Sequence, residues 1–376
     1  MRHIPPNQLY RSLYGRLVEL VPNEIDSRVT NLVYLMVGVF LARSVQTGRL
    51  ASYVPLRVKR VSIVRRMERF LANPGVLVRD WYAPLASALL AKASRSGQVA
   101  LIIDGSKVSF THQLLLVAVA YHGRALPIAW TWVAQGRGHS SQTQQLALLS
   151  YVRRLVRPGV AVSLVGDTEF GHTRILETLD AWQWSYALRQ SGRIRAWPKG
   201  LAHWQALDTL CPPPGDWRWW PWVLLTQLSA YPTHVLTVWK YGEKKPWLLA
   251  TNLTDPHAVL RLYARRMWIE ELFGDCKGHG FDLESSQLRS FLHLSRLTLA
   301  VMLLYVWLVS EGTQALLQGR SAQVDRSNRR DLSLFRLGLE LIQQAITHST
   351  PFQVHFEAVF DPLPDLFFSQ IQVSGG

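Results

Sequence analysis

Cysteine is almost absent from this chain, which holds two in 376 residues. Cys211 and Cys276 lie far apart and match neither a zinc-binding nor a disulfide spacing. This scarcity excludes a disulfide framework and a cysteine-rich zinc finger. It also favours a reducing, cytoplasmic setting, because thiols persist unpaired there.

Long apolar runs are missing too. The longest, residues 32–42 and 297–309, are shorter than the roughly 18 residues that a membrane-spanning helix needs. We therefore expect buried core helices there and no membrane partner. Residues 1–10 contain two prolines and several polar side chains, which does not fit a secretory signal.

Motifs for nucleotide binding and serine catalysis are absent. The chain has no Gly-x4-Gly-Lys loop, so ATP is not implied. No Gly-x-Ser-x-Gly elbow accompanies His139-Ser140-Ser141. We interpret His139 as a structural residue or a DNA contact rather than part of a nucleophilic site.

Acidic residues are too few to balance the basic ones. The chain has 26 Asp and Glu against 41 Lys and Arg, a formal net charge of +15. Such an excess points to a polyanionic partner, either nucleic acid or an anionic surface. Apolar residues make up 48% of the chain, enough for a substantial core.

The excess charge is concentrated at the N-terminus. Residues 1–96 show helical periodicity throughout and hold fifteen basic residues against five acidic ones. A solvated helix face would explain part of this cluster, but so unbalanced a block favours contact with DNA phosphates. The possible N-terminal DNA contacts are Arg57, Lys59, Arg60, Arg65, Arg66 and Arg69.

From Gly97 the pattern changes to short apolar runs typical of buried strands. One run ends at Asp104 and a later one at Asp167, although an acid in either place also suits an ordinary strand-ending turn. The expected elements are strands 99–104, 114–121, 126–133 and 161–167, and helices 141–156 and 173–182.

Residues 190–250 interrupt this pattern with Pro, Trp and short β-like runs. Ten of the fifteen tryptophans lie between Trp182 and Trp247. We expect most of them to pack a local core, and one or two exposed ones to be available for stacking on an unpaired base.

Residues 263–277 predict a helix that carries one acid among phosphate-binding groups. From Tyr263, the residues Arg266, Glu270 and Lys277 follow at i+3, i+7 and i+14, so their side chains return to one azimuth. A carboxylate beside such donors suits a metal-bound phosphodiester. The alternative is an amphipathic helix with an i,i+4 ion pair between Arg266 and Glu270.

The spacing Tyr-x2-Arg-x3-Glu-x6-Lys resembles the YREK signature of DDE transposases of the insertion-sequence-four type. Gly280-Phe-Asp-Leu-Glu284 follows much as in that family, and residues 65–74 resemble its N-terminal segment. The resemblance covers roughly residues 60–340. Departures are Met267, which stands where the family often has Trp, and Thr168 and Glu169 after Asp167.

The resemblance implies an α/β fold: a ribonuclease-H-like core with an inserted β-rich subdomain, preceded by an α-helical N-terminal domain and followed by C-terminal helices. The core would be completed by the YREK helix and the helix after it. The implied divisions are a DNA-binding region 1–96, the first part of the core 97–189, the insertion 190–250, the rest of the core 251–318, and a C-terminal helical tail 319–376.

The resemblance also implies roles for the site residues. Asp104, Asp167 and Glu270 would be catalytic and would hold two Mg²⁺ or Mn²⁺ ions per active site, with Asp104 bridging both. Hard oxygen ligands suit these ions. Rival ligands are Glu169 and, less well placed, Glu271. The DNA-phosphate-binding residues would be Tyr263, Arg266 and Lys277.

The implied function is cut-and-paste transposition of a bacterial insertion sequence. The protein would cleave double-stranded DNA at the element's ends, transfer the strand into target DNA, and act as a homodimer on DNA in the bacterial cytoplasm. The alternatives are a ribonuclease-H-like nuclease without strand transfer and a catalytically inactive, DNA-binding derivative.

Overall fold

The computed structural model describes residues 6–108, 112–134, 139–327 and 329–363. The chain forms two compact units. The helical unit comprises residues 1–92 and 273–376, and the sheet unit comprises residues 93–272. The helices are α1 (Pro6–Leu20), α2 (Asp26–Ala42), α3 (Thr47–Leu50), α4 (Arg60–Ala72), α5 (Val78–Ala93), α6 (Gln142–Leu155), α7 (Thr173–Ala181), α8 (Pro256–Ala264), α9 (Trp268–Cys276), α10 (Phe291–Leu317) and α11 (Leu334–Thr347).

The core of the helical unit is built on α10. Its apolar residues 297–309 are buried, as are most of those in α2, so the expectation of core helices there is confirmed. α11 packs closely on α10, because a Cβ at Gly338 would overlap the Leu308 carbonyl oxygen. The buried Arg296 of α10 donates to the Leu71 carbonyl oxygen at 2.6 Å and to that of Val76 at 3.2 Å.

Among the described residues, α10 alone is long and apolar enough to cross a membrane. Within its most apolar window, 83% of the residues are buried inside the structure. A core helix of this kind passes the same length and hydropathy test as a membrane span.

The sheet unit contains one mixed sheet of ten strands in the order β3-β2-β1-β4-β5-β10-β9-β8-β6-β7. β1, β2 and β3 are antiparallel neighbours, whereas β4 runs parallel to β1 and β5 runs parallel to β4. The strands are β1 (Gln98–Lys107), β2 (His112–Tyr121), β3 (Arg124–Ala134), β4 (Ala161–Gly166), β5 (Ser185–Arg189), β6 (Arg195–Pro198), β7 (Gln205–Ala206), β8 (Trp217–Leu225), β9 (Tyr231–Val238) and β10 (Trp247–Thr251).

The strands expected in the core segment are present, with one shift. Asp167 directly follows β4, as predicted. The prediction that Asp104 closes its strand is wrong, because β1 continues to Lys107. The ladder explains the extension, since β1 keeps pairing with β2 as far as Lys107 opposite Gln113.

The Trp-rich stretch after residue 190 continues the same sheet through the pairing of β10 with β5. A polar cluster at the edge of this region is centred on Asp180. Its carboxylate accepts hydrogen bonds from Tyr186, Tyr231 and Asn252, the last at 2.7 Å. The cluster therefore fixes α7 against β5, β9 and the segment that leads into α8.

The prediction of one continuous helix over residues 263–277 is wrong. α8 ends at Ala264, a 3-10 turn occupies Arg265–Met267, and α9 begins at Trp268. A 3-10 turn has about 3.0 residues per turn instead of 3.6, so it rotates the side chains that follow it. Tyr263, Arg266 and Glu270 consequently lie on three successive elements.

Candidate active site

Asp104 and Asp167 are brought together by the parallel pairing of β1 and β4. Ile103 lies opposite Gly166 in the ladder, and the residues that follow these two in the chain are Asp104 and Asp167. The apolar run Val99–Ile103 of β1 is typical of a strand buried on both faces, and β4 is apolar apart from Ser163. Glu270 approaches from the first turn of α9.

The guanidinium of Arg266 contacts all three carboxylates. Its Nη2 lies 3.1 Å from Asp104 Oδ2 and 3.5 Å from Asp167 Oδ2, and its Nη1 donates to Glu270 Oε1. Because Oδ2 of Asp104 and Oδ2 of Asp167 both contact Nη2 of Arg266, the distance between these two oxygens is at most the sum of the two contact distances. The predicted i,i+4 ion pair within the helical stretch and the predicted carboxylate cluster are thus both present.

Charge in this cluster is unbalanced. Burial raises the pKa of the Asp104 carboxyl to about 6, although Arg266 and a hydrogen bond from the Gly105 N–H oppose the shift. Burial lowers the pKa of the Arg266 guanidinium, but Asp104, Asp167 and Glu270 outweigh it and the net shift is upward. Arg266 and Arg189, which lies 3.8 Å from Asp167, supply two positive charges against three carboxylates, so one negative charge is left uncompensated when all three acids are ionised.

Tyr263 and Arg189 border the cluster. Tyr263 is buried, and burial together with the charge of Asp167 raises its pKa to about 12. Arg189 lies 3.8 Å from Asp167 through Nη1, hydrogen-bonds Tyr263, and donates from Nη2 to the Pro246 carbonyl oxygen at 3.1 Å. Sequence reasoning missed Arg189. Its signal is its position as the last residue of β5, the parallel neighbour of β4.

Lys277 follows α9 and belongs to the helical unit. Its Nζ lies 2.7 Å from Glu284 Oε1, within the same unit. Glu284 is the last residue of the segment that resembles the family tail, so two family-like positions are paired here.

The N-terminal basic residues divide into two groups. Arg60 donates to the Gly48 carbonyl oxygen, and Arg66 donates to Asn31 and stacks over the Tyr34 ring at 5.1 Å. These two therefore contribute to packing within the helical unit. Arg66 is half-buried, whereas the other five are exposed: Arg57, Lys59, Arg60, Arg65 and Arg69.

The rival acids are engaged elsewhere. Glu271 lies 3.4 Å from the buried Arg124 of the β2–β3 hairpin. Glu169, which is 11% exposed, accepts hydrogen bonds from the Ser140 backbone N–H at 2.6 Å, the Ser140 hydroxyl, and the Gln113 amide at 3.1 Å. His139 Nδ1 lies 3.5 Å from its second oxygen.

The donor set of the cluster fits a divalent cation. Carboxylate oxygens are the ligands that Mg²⁺ and Mn²⁺ prefer, and a doubly charged ion would neutralise the excess charge. Within the described ranges, no three His, Cys, Asp or Glu side chains already stand as a coordinating group. Arg266 contacts all three candidate ligands, so its guanidinium must shift for them to bind one ion together.

Comparison with known proteins assigns the family. The transposase DDE domain family matches residues 95–307. No curated protein matches the chain in sequence. Among solved structures, the chain is similar to a piggyBac transposase synaptic complex with hairpin DNA, with a TM-score of 0.41 and 10% identity over 93% of this chain and 78% of that chain. The family match spans more than half of the 376 residues, and the chain therefore belongs to the transposase DDE domain family.

Proposed function

We propose that this protein is a cut-and-paste transposase of a bacterial insertion sequence, of the insertion-sequence-four type. Membership of the DDE transposase family implies nuclease and transesterification activity. The observation that carries the finer proposal is the convergence of Asp104, Asp167 and Glu270 on one guanidinium within the family-matched segment.

The strand arrangement supports a ribonuclease-H-like core. The order β3-β2-β1-β4-β5, with the first three strands antiparallel and the next two parallel, agrees with the expected sequence of three strands, a helix, a strand and a helix. The contacts of Arg266 with Asp104, Asp167 and Glu270, and the effect of Asp167 on Tyr263, also support the assignment of the first three YREK positions.

In the proposed mechanism, Asp104, Asp167 and Glu270 would hold the divalent ions, two per site. Bound metal supplies activation of the attacking oxygen and charge stabilisation of the leaving oxygen at a phosphodiester. Arg266, released from three carboxylates, binds a non-bridging phosphate oxygen together with Arg189 and the Tyr263 hydroxyl. These groups position the DNA backbone and do not read its sequence.

The proposed partners are double-stranded DNA, both as transposon ends and as target, and a second copy of the chain on DNA. The exposed basic residues of the N-terminal segment and Lys277 provide the charge for backbone contact. A cytoplasmic location in a bacterium, with the protein on the nucleoid when DNA is bound, completes the proposal.

Cleavage and joining of labelled element-end DNA in Mg²⁺ or Mn²⁺ test the proposal. We expect wild-type protein to nick the ends and to join them to target DNA, and Asp104→Ala, Asp167→Ala and Glu270→Ala to bind the ends without cutting. Cutting without joining would identify a nuclease instead. Binding without cutting by the wild type would identify an inactive DNA-binding derivative.

A further inference from the structure

We propose that Glu169 is a positioning residue, which fixes strand β1 with Asp104 and the turn after β4 with Asp167 relative to each other without itself holding metal. This inference rests on the proposed function, since it concerns the two acids that would hold the ions. The structural basis is a hydrogen-bonded brace formed by Glu169, Gln113, Ser140 and Gln145.

One end of the brace is the turn after β4. Glu169 lies two residues beyond Asp167, in the 3-10 turn Thr168–Phe170. Its backbone carbonyl accepts a hydrogen bond from Gln145 Nε2 at 3.3 Å, and the same nitrogen donates to the Ser140 carbonyl oxygen and hydroxyl at 3.2 and 3.0 Å. Gln145 is fully buried and holds the backbone of Glu169, whereas Ser140 and Gln113 hold its side chain.

The other end of the brace is the strand that carries Asp104. Gln113 on β2 donates from Nε2 to Glu169 Oε2 at 3.1 Å. The same amide lies against Gly105, where an added Cβ would overlap Gln113 Nε2. Gly105 in turn donates its N–H to Asp104 Oδ1 at 2.8 Å. Contacts thus run from Asp104 through Gly105 and Gln113 to Glu169, and along two peptide units to Asp167.

The hydrogen bonds of Glu169 distinguish this role from metal ligation. Oε1 accepts from the N–H and the hydroxyl of Ser140, while Oε2 accepts from Gln113 and faces His139. Both oxygens are therefore used within the brace. Charge-assisted bonds of this kind are roughly twice as strong as neutral ones, which suits a group that must hold a turn in place.

A buried carboxylate beside an already acidic cluster has a cost that a neutral side chain would avoid. The negative charge of Glu169 strengthens the hydrogen bonds that it accepts from Ser140 and Gln113, and this offsets part of that cost. Groups that orient metal ligands affect metal affinity by about 10–100-fold when they are removed. The brace should therefore influence metal binding more than it influences overall stability.

The test measures Mn²⁺ affinity by calorimetry and electron paramagnetic resonance in Glu169→Gln and wild-type protein. We expect Glu169→Gln to retain both ions with about tenfold weaker affinity, because its single amide oxygen cannot accept all the bonds of a carboxylate. Ser140→Ala removes one donor and should weaken binding by a smaller factor. This variant decides the question if Glu169→Gln does not fold.

Asp180→Asn is the matched control. Asp180 is another partly buried carboxylate of the sheet unit with three side-chain donors, and its partners are not those of the brace. We expect this variant to lower the melting temperature and to leave Mn²⁺ affinity unchanged.

Three results would overturn the inference. Mn²⁺ affinity equal to that of the wild type in folded Glu169→Gln and Ser140→Ala would show a purely structural role. Complete loss of one bound ion in Glu169→Gln, as expected for Asp167→Ala, would make Glu169 a ligand. Wild-type protein that binds no Mn²⁺ would remove the basis for positioning. Wild type that binds Mn²⁺ but neither cuts nor joins DNA would contradict the proposed function alone.

Discussion

Replacing Asp104 by asparagine should change how the metal-free protein responds to pH. The buried carboxyl has a pKa of about 6 against an ordinary value of 3.8. An acid with a raised pKa favours the folded state while it is protonated. Its contribution is fully present below pH 3.8, and it is lost as pH rises through about 6. Asparagine has the same shape and does not titrate.

The magnitude follows from the shift. Each pKa unit corresponds to about 1.4 kcal/mol, so a shift of about two units is worth about 3 kcal/mol over the full range. Roughly half of this remains at pH 5, because the unfolded carboxyl is already ionised there. The free energy of unfolding of wild type should therefore fall by about 1.5 kcal/mol more than that of Asp104→Asn between pH 5 and pH 8.

Urea unfolding in EDTA at both pH values, followed by tryptophan fluorescence, measures this difference directly. Titration of groups that do not interact with Asp104 cancels in the comparison of the two proteins. Added Mn²⁺ at pH 8 should stabilise the wild type, by about 2.7 kcal/mol at 100 times its Kd, and should not stabilise the variant. Parallel pH dependences in EDTA, or equal stabilisation by Mn²⁺, would refute the account of Asp104.

Other substitutions test separate parts of the structure. Arg189→Met should reduce cleavage of end DNA by about ten- to a hundredfold while Mn²⁺ affinity stays within a factor of about two; unchanged cleavage would exclude a phosphate contact. Gly105→Ala should lower both Mn²⁺ affinity and cleavage, because the Gln113 amide must move; wild-type affinity in this variant would contradict the described contact. Gly338→Ala should destabilise the protein by about 1–3 kcal/mol in urea unfolding. Gly15→Ala, where space is open, should instead stabilise α1 by up to about 1 kcal/mol, and equal effects of the two glycine changes would argue against close packing of α11 on α10.

The strands that carry the site could be predicted from the sequence, because each is formed by a short run of consecutive residues. Strands buried on both faces need uninterrupted apolar runs, and an acid after such a run stands out. Asp104 and Asp167 are adjacent because β1 and β4 pair in parallel, a relation that the structure adds. The structure brings both together with Glu270, while their catalytic roles, the ribonuclease-H-like core and the domain divisions remain predictions.

The rest depended on contacts that local spacing does not encode. The break at Arg265–Met267 contains neither Gly nor Pro, so periodicity continues through it without a signal. The sequence left Glu169 as an alternative metal ligand, because it lies only two residues after Asp167. Its direction is set by Gln113 and Ser140, which come from other parts of the chain. Arg189 was missed because its signal, the position at the end of β5 beside β4, depends on strand pairing and not on local sequence.

The interleaved construction of the helical unit bears on how the protein is made. Arg296 on α10 donates hydrogen bonds to the carbonyl oxygens of Leu71 and Val76, so the contacts of residues 1–92 with α10 cannot form until α10 has been synthesised. At 5–20 residues per second, the 180 intervening residues 93–272 delay that docking by roughly 10–40 s. During this interval the sheet unit can finish folding on the ribosome. The apolar face of α2 that packs on α10 stays exposed to solvent over the same time. Nascent chains arrested before α10 should accordingly be prone to aggregation and to capture by chaperones.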